Sequence, residues 1–261
     1  LVLEVSFIIA ALALANFFSF KDGTETINNR LTVSVIQTKK PIKTLYEPEE
    51  LLNDFGEKNK LLKEASKKSD LIVFPESADF SLNLSGFLDF GSVQKYFNNL
   101  SPENILIIDN DKIPEQEGIK SKVILIDSKD GPVGYYDKKL LTPGGETIPY
   151  LAKLPLLIFE YLRKNNFISS RATFYSGKEN NIINYKDSKI KLVVCSDIIS
   201  PGLSKDGEFD FIINLNNLAV FNSNPLIESE LLSMARFRAA ENNKYLIISS
   251  NFGHSYIINP L

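Results

Sequence analysis

Three side chains capable of covalent chemistry lie at the ends of short predicted elements. Cys195 and Glu76 each come directly after an apolar run, and Lys138 precedes a Gly-Gly turn. Taken singly, they have ordinary explanations as an inert buried thiol, a turn carboxylate and a surface lysine. Taken together, they would supply a nucleophile, a general base and a cation that stabilises a thiolate and an oxyanion.

The rarest residue types restrict which chemistry is possible. The 261 residues include one cysteine and one histidine, Cys195 and His254. One cysteine excludes an intrachain disulfide and a thiolate zinc cluster, and one histidine excludes an HExxH zinc site. A Cys-His or Ser-His-Asp site would have to use His254, which lies in a predicted turn. We therefore expect a carboxylate base, with no metal and no cofactor.

The charge pattern argues against two classes of partner. The chain carries 29 basic and 32 acidic residues, which are interspersed and leave a net charge of −3. This charge pattern lacks the clustered basic residues that are typical of a nucleic-acid-binding protein. It also lacks the polybasic cluster that holds proteins on anionic lipid.

Apolar runs and helical periodicity predict the elements that carry these side chains. Helices are predicted at 48–66 and 226–241. Strands are predicted at 31–36, 70–74, 105–108, 123–126, 190–194, 211–213 and 245–248. Apolar strands interrupted by helices indicate an α/β protein with active residues at strand ends. Two sheets flanked by helices would suit this number of strands.

Two apolar segments suggest contact with a membrane. Residues 1–20 would reach roughly 30 Å as a helix, about the thickness of a bilayer core. We interpret them as a transmembrane helix ahead of a domain at 30–261; a signal peptide and a buried helix are the alternatives, and Glu4 argues against the signal peptide. Residues 154–162 fit either a helix packed on the core or an amphipathic arm that enters lipid.

Five segments have the form of known sequence motifs. Leu71–Ala78 resembles LIVWPE(T/S)A, and Tyr136–Pro149 resembles YxKxxLVPFGExxP. Val194–Asp197 resembles a CYE turn around a nucleophile. Met234–Glu241 resembles MARxRAxE, and Ser250–Gly253 resembles TNxG. Together these segments resemble the nitrilase (carbon–nitrogen hydrolase) superfamily, and within it the apolipoprotein N-acyltransferases.

The resemblance implies an α-β-β-α sandwich and assigns roles to named residues. Glu76 would be the general base, Lys138 the oxyanion-stabilising cation, Cys195 the nucleophile, and Glu146 the carboxylate that orients Lys138. The residues expected around them are Asp197, Ser196 and Tyr136.

The implied reaction moves a fatty acyl chain from a phospholipid, through a cysteine thioester, to the N-terminal diacylglyceryl-cysteine of an apolipoprotein. The implied location is the extracytoplasmic face of a bacterial inner membrane, and the implied state is a monomer. The alternatives are an amidase with the same triad and a non-catalytic domain.

Several positions depart from the family pattern. Asp197 stands where Glu is usual, Ser196 where Tyr is usual, and Gly144 where Phe is usual. Residues 216–221 lack the Asp and Trp of the SNDAWFG segment. We expect these changes to affect acyl-donor preference and rate more than the class of reaction.

Overall fold

Two five-stranded sheets form the framework of the computed structural model, which describes residues 31–41, 46–116, 118–143, 145–163 and 174–260. The chain from Thr32 onward forms one unit. The predicted transmembrane helix at 1–20 lies outside the described residues. Within the described part of the chain, no helix is long and apolar enough to cross a membrane.

The first sheet has the order β1-β2-β3-β4-β5. The first three strands are parallel, and β4 and β5 are antiparallel to their neighbours. The strands are β1 (Val33–Val35), β2 (Leu71–Val73), β3 (Leu106–Glu115), β4 (Gly118–Asp127) and β5 (Gly131–Asp137). Parallel pairing brings the carboxyl ends of β1 and β2 to the same edge.

The second sheet has the order β10-β9-β8-β7-β6, with β7, β8 and β9 parallel. The outer strands are antiparallel to their neighbours. The strands are β6 (Ile182–Tyr185), β7 (Ser188–Val194), β8 (Phe211–Asn217), β9 (Tyr245–Asn251) and β10 (Tyr256–Ile258). The second sheet thus has a parallel centre with one antiparallel strand at each edge, whereas the parallel strands of the first sheet lie on one side of it.

Six helices lie in the described part of the chain, and four of them pack on the sheets through apolar residues. The helices are α1 (Pro48–Ala65), α2 (Phe80–Phe87), α3 (Phe90–Asn98), α4 (Tyr150–Arg163), α5 (Pro201–Ser204) and α6 (Pro225–Asn242). Short 3-10 turns span Cys195–Ile199 and Leu218–Phe221.

Three apolar clusters separate these layers. One lies between the two sheets and includes Tyr136 and Cys195. A second joins the first sheet to α1, α2 and α3, and a third joins the second sheet to α6. This arrangement is the predicted α-β-β-α sandwich.

Local sequence explains where the two longest helices begin. Pro48 occupies the first turn of α1, and the Glu47 backbone N–H donates to Glu50 Oε2 at 3.3 Å. Asn224 caps α6 by accepting a hydrogen bond from the Leu226 N–H at 2.9 Å. Both predicted helices are present at nearly the expected bounds.

Helix α4 contains the predicted apolar segment at 154–162 but does not bury it. Leu151 and Tyr161 are 89% and 83% exposed. Leu154, Leu157, Ile158 and Phe159 are exposed as well. The interpretation of this segment as a helix packed on the core is therefore wrong.

Candidate active site

The structure brings three sequence-predicted residues together from three strand ends. Glu76 follows β2 and Lys138 follows β5, both in the first sheet, whereas Cys195 follows β7 in the second sheet. All three are buried, and Lys138 is 1% exposed. The site therefore lies where the two sheets meet.

Lys138 lies between two carboxylates. Its Nζ is 3.1 Å from Glu76 Oε1, and it is 3.0 and 2.9 Å from the two oxygens of Glu146. Burial opposes the charge on Lys138, but the Glu76 carboxylate, Cys195 in its thiolate form and the Glu146 carboxylate more than offset it and raise the pKa of Lys138. Lys138 is therefore a fixed cation in a water-poor site.

Cys195 has a backbone conformation that sequence alone does not reveal. Its φ is +48°, a left-handed conformation that is uncommon for a residue with a Cβ. Burial and the Glu76 carboxylate raise the pKa of its thiol to about 12, and Lys138 opposes them. The thiol is thus neutral at rest, so a nucleophilic role requires a base to remove its proton.

Asp197 joins the Cys195 turn to the end of β5. Its Oδ2 accepts hydrogen bonds from the Tyr136 hydroxyl at 2.8 Å and from the Val194 N–H at 3.0 Å. Its Oδ1 accepts from the Leu140 N–H at 2.7 Å. Burial raises the pKa of Asp197, and these three donors oppose that shift. Asp197 therefore connects the cysteine turn to the strand that carries Lys138.

Ser196 and Glu146 hold the loop after Lys138. The Ser196 hydroxyl donates to the Leu140 carbonyl at 2.6 Å and lies 3.1 Å from Thr142 Oγ1. Glu146 Oε2 accepts from the Thr142 N–H at 2.8 Å. All seven predicted site residues, including Tyr136, thus lie in one connected region.

Gly177 is a site neighbour that sequence reasoning missed. Its N–H donates to the Lys138 carbonyl at 2.9 Å. A Cβ at Gly177 would lie 2.2 Å from the Asp137 carbonyl oxygen. Only glycine permits this close approach of the two backbones. In the sequence, the only sign of this close backbone approach is the glycine itself.

The structure places His254 away from this cluster. Its side chain is 76% exposed, and its Nδ1 lies 2.7 Å from Glu228 Oε1 on α6. The histidine ties a surface loop to that helix. Among the described residues, no group of three or more His, Cys, Asp or Glu side chains is arranged to hold a metal ion.

The segment that departs from SNDAWFG forms the end of β8 and the following 3-10 turn. Asn217 Oδ1 accepts from Asn251 Nδ2 at 2.9 Å, and Asn251 Oδ1 accepts from Thr38 Oγ1 at 2.8 Å. Two side-chain amides and one hydroxyl, from three segments, thus hold the strand ends together. Val220 is half-exposed on this turn.

Curated relatives share one name. A protein of Aquifex aeolicus is 31% identical over 79% of this chain and 44% of its own length. One from Helicobacter pylori is 27% identical over 97% of this chain and 56% of its own length. One from Rhizobium rhizogenes is 28% identical over 72% of this chain and 35% of its own length. All three are named apolipoprotein N-acyltransferase, and the chain spans about half or less of their lengths.

Solved structures share the fold at low sequence identity. A CN-hydrolase superfamily protein from Xanthomonas campestris is 18% identical, with a TM-score of 0.58 over 89% of this chain and 84% of its own. The NitFhit protein of C. elegans is 16% identical, with a TM-score of 0.61 over 88% and 56%. An amidase from Nesterenkonia sp. AN1 is 14% identical, with a TM-score of 0.57 over 88% and 86%.

The carbon-nitrogen hydrolase family model matches residues 32–261. That match covers both sheets and every site residue described above. The chain belongs to the carbon–nitrogen hydrolase family.

Proposed function

We propose that this chain is the catalytic domain of an apolipoprotein N-acyltransferase. It would move a fatty acyl chain from a phospholipid to the N-terminal diacylglyceryl-cysteine of an apolipoprotein. The observation that carries the proposal is the buried Glu76–Lys138–Glu146 ion-pair chain, which interacts electrostatically with the single thiol, Cys195.

In the first half-reaction, Glu76 takes the thiol proton as Cys195 Sγ attacks the ester carbonyl carbon of the phospholipid. The carbonyl oxygen becomes an oxyanion, which the Lys138 ammonium and a backbone N–H near Cys195 stabilise. The intermediate collapses by breaking the ester C–O bond. The departing lysophospholipid oxygen takes the proton from Glu76, and a thioester remains on Cys195.

In the second half-reaction, the α-amine of the lipid-modified cysteine attacks the thioester carbonyl. Glu76 accepts a proton from the amine and returns it to the departing Cys195 sulfur. An amide forms, the C–S bond breaks, and the thiol is restored. Lys138 stabilises the oxyanion in both halves, so its charge is needed throughout.

The exposed apolar surface of α4 supports a lipid substrate. A surface of this kind favours transfer from water into the boundary of a bilayer. We propose that α4 and the predicted helix at 1–20 hold the domain, as a monomer, at the extracytoplasmic face of the membrane. The names of the curated relatives support the same acceptor and donor.

Amide hydrolysis is the second candidate, because the same side chains can form and hydrolyse a thioester from a small amide. The similar fold of the Nesterenkonia amidase favours it. An amidase needs an enclosed polar pocket, whereas the exposed apolar helix α4 fits a long-chain substrate better.

One experiment separates these two reactions. The intact protein in detergent is incubated with a phospholipid whose acyl chain is radiolabelled. We expect a hydroxylamine-sensitive label on wild-type protein and none on Cys195→Ser. Hydrolysis of small amides with no labelling by phospholipid would instead support the amidase.

A further inference from the structure

The loop that carries Glu76 out of β2 has an unusual backbone. Ser77 has a φ of +60° and Asp79 a φ of +53°, although neither is glycine. Left-handed conformations at two residues with a Cβ persist only where the surroundings hold them. This strained loop, residues 76–79, therefore requires partners that fix it.

Asn110 on β3 fixes the loop on both sides of Ala78. Its side-chain Oδ1 accepts a hydrogen bond from the Ser77 N–H at 2.8 Å. Its backbone carbonyl accepts from the Asp79 N–H at 3.1 Å. Asn110 is fully buried, so no water replaces these bonds if they are lost.

Lys58 on α1 holds the same loop through the Ala78 carbonyl. Its Nζ donates to the Ala78 carbonyl at 2.6 Å and to Asp54 Oδ2 at 2.6 Å. Its side chain is 1% exposed. Burial, together with the nearby Lys40, lowers the pKa of Lys58, and Asp54 opposes that shift. A buried ammonium therefore spans α1 and the loop.

The Glu76 carboxylate itself is joined to Lys138 through Oε1. Its position relative to the Cys195 thiol consequently depends on where the loop holds the Glu76 backbone. Asn110 and Lys58 together hold two peptide groups after Glu76, the one between Glu76 and Ser77 and the one between Ala78 and Asp79.

We propose that Asn110 and Lys58 are positioning residues that hold Glu76 in place for proton transfer with Cys195. This inference rests on the role of Glu76 in the proposed function. It assigns a catalytic purpose to two buried polar side chains on β3 and α1 that belong to none of the motifs described above.

The first test measures acyl-enzyme formation. Asn110→Leu keeps the size of the side chain but removes its acceptor, and Lys58→Met keeps the stem but removes the ammonium. We expect each variant to form the labelled thioester about 10- to 100-fold more slowly, with an unchanged KM for phospholipid. Ser128→Ala, which removes a buried hydroxyl just beyond the far end of β4, is the matched control and should retain the wild-type rate.

The second test separates positioning from general loosening of the structure. Iodoacetamide alkylation of Cys195 is measured at pH 8 with and without Glu76→Gln. Asn110→Leu should speed alkylation in wild type, because displacing the Glu76 carboxylate favours the thiolate. In the Glu76→Gln background, Asn110→Leu should leave the alkylation rate unchanged, because no Glu76 carboxylate remains to be displaced.

Two results would overturn the inference. One is wild-type acylation in folded Asn110→Leu and Lys58→Met proteins. The other is an equal increase of alkylation with and without Glu76→Gln, which would show a purely structural role.

If Asn110→Leu does not fold, Lys58→Met, on another element, tests the same expectations. If wild type accepts no acyl chain from phospholipid, the proposed function fails, but the alkylation comparison still decides the positioning role.

Discussion

The Tyr136 hydroxyl donates a 2.8 Å hydrogen bond to the Asp197 carboxylate, across the boundary between the two sheets. Tyr136 lies two residues before Lys138, and Asp197 lies two residues after Cys195. This bond therefore couples the position of the cation to the position of the thiol. Asp197 accepts this hydrogen bond although the family motif usually has Glu, with a longer side chain, at this position.

Tyr136→Phe should weaken both stability and activity. Losing the hydroxyl leaves a buried carboxylate with one donor fewer, at an expected cost of about 1–3 kcal/mol in the free energy of unfolding. We expect acyl-enzyme formation to fall several-fold. Denaturant unfolding and single-turnover labelling measure the two effects.

A second tyrosine provides the control for this prediction. Tyr185→Phe removes a similar bond, from the Tyr185 hydroxyl to Asp127 at 2.7 Å, away from the site. It should lower stability but leave the acylation rate unchanged. Equal loss of activity in both variants would refute a specific role for Tyr136.

The reactivity of Cys195 should depend on pH in a defined direction. Because burial and Glu76 raise the thiol pKa to about 12, little thiolate exists at neutral pH. Alkylation should therefore still accelerate above about pH 10, where an ordinary thiol with a pKa of about 8.5 has already reached its plateau. A plateau at or below about pH 10 would contradict this environment.

Neighbouring charges should shift that reactivity in opposite directions. Glu76→Gln removes a charge that raises the thiol pKa, so alkylation at pH 8 should become faster although acyl transfer is lost. Lys138→Met removes a charge that lowers the pKa of the Cys195 thiol, so alkylation should become slower. Both effects are read from the rate of iodoacetamide labelling.

The adjacent lysines 138 and 139 should differ sharply. Lys138 is buried between two carboxylates, whereas Lys139 is partly exposed. Lys138→Met should reduce acyl transfer on the order of 10²- to 10³-fold, the typical effect of losing one preorganised oxyanion donor. Lys139→Met should retain near-normal transfer. Similar losses in both variants would argue against a specific cation at Lys138.

Gly177→Ala should disturb the strand that carries Lys138. The new Cβ would lie 2.2 Å from the Asp137 carbonyl oxygen, so the backbone must move. We expect a loss of about 1–3 kcal/mol in stability and a lower acylation rate. Gly56→Ala in α1, where no atom lies within 4 Å of the new Cβ, should be neutral or slightly stabilising.

Sequence periodicity predicted the elements that have buried apolar runs or long amphipathic patterns. It missed β5, because two glycines and a proline in Gly131–Asp137 dilute the apolar pattern and pairing with β4 determines the strand. It also missed α2 and α3. Only the Asp89 cap, which accepts from the Ser92 N–H at 3.0 Å, marks the start of α3.

The candidate site was more predictable than its supports. Glu76, Lys138 and Cys195 could be grouped from the sequence because a carboxylate, a lysine and a thiol at strand ends are a distinctive set, and the structure places them together. Asn110 and Gly177 were missed, because each acts on a segment more than thirty residues away. Such contacts depend on the register of the sheets, and a local sequence pattern does not reveal that register.

A single-turnover chase tests the central claim most directly. Intact protein is first labelled with a radioactive phospholipid acyl chain and then freed of excess lipid. A peptide with an N-terminal diacylglyceryl-cysteine is then added. We predict that the label leaves Cys195 and appears as an amide on the peptide, at a rate that depends on peptide concentration. Release of the label only as free fatty acid, at a rate independent of the peptide, would contradict acyl transfer.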